Sequence, residues 1–97
     1  MKNPKERSEA SKLLKKKMIY NSQYIVYPEG DVQEINHHLS INQITDINGF
    51  PLNLPLPTPK MIAYRVYKIQ TKELRGEERT LFFLELLRIN ELEELAR

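Results

Sequence analysis

"TLFFLELLRINELEELAR", residues 80–97, is the stretch on which the fold turns. Leucine and glutamate are good helix formers, so the whole segment could coil as one helix. Read instead as a strand and then a short helix, it places Phe82, Leu84 and Leu86 on one face and Leu81, Phe83 and Leu87 on the other. The residues before it favour the strand. "KMIAYRVYKIQT", residues 60–71, is rich in β-branched and aromatic side chains, and "KELRGEE", residues 72–78, supplies a reversal at Gly76. Together they predict a long hairpin. Asn90 is then expected to cap a terminal helix with Glu93 at its third position and Leu92, Leu95 and Ala96 facing inward.

The earlier strand of that hairpin also carries apolar residues on both faces: Met61, Ala63, Tyr67 and Ile69 on one, Ile62, Tyr64 and Val66 on the other. A sheet with one wet face does not suit such strands. The sequence calls for helices packed on a face, closure into a small barrel, or burial against a second copy.

Working toward the N-terminus, "PLNLPLPTP" (51–59) removes backbone donors and reads as a stiff connector or a sheet edge, with Leu52, Leu54 and Leu56 packing inward. "NHHLSINQITDINGFPLNL" (36–54) leans to strand, with Asn48 and Gly49 supplying the positive φ angles of a tight turn. "QYIVY", "PEGD" and "VQEI" read as a further hairpin. At the start, Asn3, Pro4 and Glu6 give a helix start signal, and Ala10, Leu13, Leu14 and Met18 form a narrow apolar stripe. The expected architecture is thus a small α+β domain: a basic N-terminal helix or arm over residues 1–18, then a body over 19–97 with an antiparallel sheet or partly closed barrel of four to six strands and a short C-terminal helix.

Charge divides the chain in the same place. Residues 1–18 hold seven basic side chains against two acidic ones, whereas 19–97 hold eight against eleven. The arm is cationic and the body anionic. Lys12, Lys15, Lys16 and Lys17 could contact phosphates and make nucleic-acid binding salt-dependent, or could form the solvated face of a helix whose C-terminal end favours cations.

Catalytic and cofactor chemistry finds little footing. With no cysteine, thiolate catalysis, disulfides and cysteine-held metals are excluded, and a reducing compartment is favoured. No apolar run approaches the roughly 18 residues needed to cross a bilayer. The basic start resembles the beginning of a leader peptide, but Asn21, Ser22 and Gln23 break the chain before an apolar core builds up, so a cytoplasmic location is expected. His37 and His38 are adjacent and so diverge on a strand or a helix, which argues against one shared ion. Gly30, Gly49 and Gly76 lie far apart, leaving no phosphate-cradling loop, and the proline spacings contain no P-x-x-P. We therefore assign no catalytic residues, metal ligands or cofactor. A β-rich body with a "DING" turn and a closing helix is loosely similar to the small PilZ barrels that bind cyclic dinucleotides. The R-x-x-x-R and D-x-S-x-x-G motifs of that family are missing, since Asp46-Ile47-Asn48-Gly49 keeps only the aspartate, and no binding residues are carried over.

What remains is a non-enzymatic interaction module. Phe82, Phe83, Leu84, Leu86 and Leu87 concentrate apolar area in one strand, which makes them the expected interface with a protein partner or, most simply, a second copy. Nucleic-acid binding by the basic N-terminal helix is the alternative.

Overall fold

The computed structural model describes residues 20–97. The basic helix expected over residues 1–18 lies outside the described residues, and so do Lys12, Lys15, Lys16 and Lys17.

Residues 80–97 are a strand and then a helix. β4 (Tyr64–Leu74) and β5 (Glu77–Leu86) form the expected hairpin, and a separate α-helix, α1 (Ile89–Leu95), comes after it. Before them come β1 (Tyr20–Val26), β2 (Val32–Ile35) and β3 (Ile44–Thr45). The sheet runs β2-β1-β5-β4-β3 and curls into a half-barrel. It is mixed, not antiparallel as expected: β1 pairs with β5 in parallel, from Tyr20 beside Glu77 to Val26 beside Phe83. That pairing sets Ile25 beside Phe82 in the buried cluster.

The expected strand over residues 36–54 shrinks to Ile44–Thr45 with a single bridge from Thr45 to Pro51. Part of this segment instead packs on the concave face of the sheet, with His38 against Phe82 and Gly49 close to Ile25. Leu39 is fully buried there with Ile25, Val66, Phe82 and Leu84. The reversal at 46–49 also differs from expectation, because only Gly49 has positive φ, at 86°, and Asn48 does not. Asp46 builds the turn: its Oδ1 accepts the N–H groups of Asn48 at 2.8 Å and Phe50 at 2.9 Å. The turn then closes against the first hairpin, where the Tyr27 hydroxyl donates to the Ile47 carbonyl at 2.6 Å and His37 Nε2 donates to the Gly49 carbonyl at 2.7 Å.

Tyr67 overturns the expected faces of β4. Val66 pairs with Leu84, but Lys68, not Tyr67, pairs with Phe83, so Tyr67 is the extra residue of a bulge. An inserted residue reverses the alternation beyond it. Ile69 therefore shares the concave face with Tyr64 and Val66, opposite Phe82, while Lys68 moves to the convex face.

Both faces are apolar, and both are covered in part. On the convex face a second cluster joins Ile44, Ala63 and Leu87 to Leu56 and to Leu92 of α1. The inward stripe of α1 is as expected, but its cap is not: Arg88 is the N-cap, and Glu91, rather than Glu93, is at the third position. Glu91 Oε1 accepts the Arg88 backbone N–H at 2.8 Å. At the other end of α1 the Leu56 N–H donates to the Leu95 carbonyl at 2.8 Å, so the proline-rich segment satisfies a helix end. Leu56 is buried and Leu52 half-buried, whereas Leu54 points to solvent.

Two substitutions test this frame. A Cβ on Gly49 would meet Ile25 Cδ1 at 2.7 Å in a backbone conformation that side chains resist. Gly49→Ala is expected to cost about 1–3 kcal/mol in urea unfolding. Arg75 has φ 52° in the two-residue turn between β4 and β5, beside Gly76 at 81°. Arg75→Asn, which tolerates that region, is expected to add about 0.5–1 kcal/mol.

Candidate partner-binding surface

Pairing fixes which side chains share the convex face. Arg79, Leu81, Phe83 and Glu85 of β5 lie there, flanked by Ser22, Tyr24 and Val26 of β1 and by Arg65, Lys68, Gln70 and Lys72 of β4. This face has a closed half and an open half.

The closed half lies under α1 and is held by charge as well as by the apolar cluster. Arg65 Nη1 contacts Glu85 Oε2 at 2.9 Å and Glu91 Oε2 at 3.4 Å, tying two strands to the helix. The hydrogen bond to Glu85, with a further one to Glu91, raises the Arg65 guanidinium above its ordinary value despite partial burial. Glu91 is held below its ordinary value, first by the Arg88 backbone N–H and then by Arg65.

The open half is centred on Phe83, which is half-buried. Lys68 Nζ lies 5.0 Å from its ring centroid, and the Tyr67 ring meets it edge-on at 6.4 Å. Next to it Tyr24, Val32, Lys72, Arg79 and Leu81 line a shallow depression of about 230 Å³. Arg79 and Glu77 form a two-point ion pair, with Nε to Oε2 at 3.2 Å and Nη2 to Oε1 at 3.2 Å, and Ser22 donates to Glu77 Oε2 at 2.9 Å. These bonds, from Arg79 foremost and then from Ser22, hold the Glu77 carboxyl below its ordinary value. Lys68 and Lys72 have no ion-pair partner among the described residues. The surface thus offers apolar and aromatic area with two ammonium groups beside it that are unpaired among the described residues.

The five side chains expected at an interface separate. Phe82 and Leu84 belong to the concave core and Leu87 to the convex cluster under α1, all buried within this chain. Phe83 is half-buried in the open half, and Leu86 is 56% exposed. His37 and His38 diverge: His37 stacks on Phe50 at 5.1 Å, while His38 sits edge-on to Phe82 at 5.3 Å with its Nδ1 3.1 Å from Gln23 Oε1. Among the described residues no three His, Asp or Glu side chains are grouped to hold a metal ion. Among the same residues no helix is long and apolar enough to cross a membrane. Tyr24, Lys68, Lys72, Arg79 and Leu81 were not legible as a site in the sequence. Their alternation along each strand was visible, but the bulge and the parallel pairing that bring them together were not.

A family described as "Uncharacterised Treponema protein" matches residues 19–95, and the chain belongs to that family. No curated protein and no solved structure matches the chain.

The Glu91 contacts give a pH dependence of definite sign. A carboxylate whose folded-state pKa is lowered contributes fully above its ordinary value of 4.5 and loses that contribution as acid carries the solution through the lowered value. Stability of wild type relative to Glu91→Gln is expected to be greatest at neutral pH and to decline as the pH falls below 4.5 through the lowered value. Urea midpoints of the two proteins across that range check it.

Proposed function

We propose that the protein is a non-enzymatic interaction module that binds a protein partner through the open half of its convex face. One observation carries this reading: the same face that α1 covers at one end is left uncovered, among the described residues, around Phe83, Leu81 and Tyr24. The cations beside that apolar area favour a polypeptide with both acidic and apolar side chains. A second copy of the chain suits the surface less well, because two such faces would bring Lys68 and Lys72 of both copies together. Binding of phosphates by Lys12, Lys15, Lys16 and Lys17 is the second reading. The feature in its favour is that Tyr24, Tyr67 and Phe83 share a face with Lys68 and Lys72, as stacking rings and cations do in single-strand binders.

Selection from a random displayed-peptide library against the full chain tests the first reading. Enriched peptides are expected to combine acidic and apolar residues and to bind Leu81→Glu at least about tenfold more weakly, with Leu86→Glu unchanged. No enrichment, or binding indifferent to Leu81→Glu, overturns it. Salt-sensitive oligonucleotide binding that disappears on removing residues 1–17 would favour the second reading instead.

A further inference from the structure

β3 pairs with β4 only at Tyr64 and Arg65, and β4 continues to Leu74. From Lys68 to Leu74 the strand has β5 on one side and, among the described residues, no strand on the other. Two features show which backbone groups face that open side. The Val66 N–H donates to Gln43 and its carbonyl accepts from Asn42, so Val66 points away from β5. At the far end, Leu74 and Glu77 flank the two-residue turn, and such a flanking pair is hydrogen-bonded. Counting back by alternation, Gln70 and Lys72 bond to β5, whereas Ile69, Thr71 and Glu73 aim their N–H and C=O groups outward.

We propose that this open edge of β4 takes an extended acidic segment of a partner as an added strand, an inference that rests on the interaction-module reading and specifies its partner. The charge pattern supports it. Lys68, Gln70 and Lys72 form the row next to the edge on the convex face, so an added strand sets alternate side chains directly beside them. Carboxylates at those positions meet Lys68 and Lys72, and the intervening side chains fall on the concave face beside Ile69, which is 37% exposed. The same lysines discourage two copies from joining edge to edge, since that arrangement gathers the ammonium groups of both on one face. They do not discourage an acidic strand. The bulge at Tyr67 ends the available edge on the β3 side.

The test uses the full chain and an end-blocked peptide of alternating glutamate and valine, with a lysine-for-glutamate peptide as control. In the chain alone, the amides of Ile69, Thr71 and Glu73 are expected to exchange rapidly with deuterium and those of Gln70 and Lys72 slowly. Slow exchange at the first three would mean the edge is already occupied and would overturn the proposal. The glutamate peptide is expected to slow those three amides, and the lysine peptide is not. Thr71→Pro removes only an outward N–H, which an edge strand tolerates, and is expected to weaken glutamate-peptide binding about tenfold while leaving the fold intact. Should that variant unfold, Lys72→Glu serves instead, with about three- to tenfold weaker binding expected. Failure of the glutamate peptide to bind, or equal binding of the lysine peptide, overturns the edge proposal. So does protection confined to Tyr24 and Leu81 and insensitive to Thr71→Pro, and in that case the interaction reading stands without the edge.

Discussion

From Tyr20 to Val26 the first described strand runs beside Glu77–Phe83 in the same direction, and most of the architecture depends on that contact. It places Ile25 against Phe82, which gives the concave core its centre, and it makes β5 the middle strand of the sheet. Apolar side chains on both faces of that strand, Phe82 and Leu84 on one and Leu81 and Phe83 on the other, call for shelter on each. The crossing segment through Leu39 shelters the concave face, and α1 shelters one end of the convex face. Ser22 and Glu77, 55 residues apart, add a side-chain bond across the same pairing.

The convex face ends up divided because the chain supplies one short helix and one proline-rich segment to cover it. α1 spans only Ile89–Leu95, and its position is set by Glu91 at the cap, Arg65 beneath it and the Leu56 N–H at its far end. Beyond its reach the face is built from the aromatic and aliphatic side chains of Tyr24, Leu81 and Phe83, bordered by Lys68 and Lys72. The long β4–β5 hairpin extends past the partners that β3 provides, so the open face and the open edge meet along Lys68–Lys72. One surface thereby offers both side-chain area and backbone hydrogen-bonding groups.

The sequence alone supported the long hairpin with its reversal at Gly76, the hairpin around "PEGD", the separate terminal helix with Leu92 inward, and the need to cover both faces of residues 80–88. All of these rest on interactions between near neighbours: turn chemistry, alternation of side chains and helix periodicity act over a few residues and leave their mark in order along the chain. Tertiary structure decided the rest. Parallel pairing of β1 with β5 depends on which distant strand best buries Ile25, and no local pattern encodes that choice. The bulge at Tyr67 depends on how β4 accommodates β5 and Gln43 at once, and it alone transfers Ile69 to one face and Lys68 to the other. The cap at Arg88 and the exposure of Leu54 likewise depend on where α1 meets the sheet. Candidate binding residues were invisible for the same physical reason, since they come from three strands whose adjacency is a property of long-range burial and not of spacing in the chain.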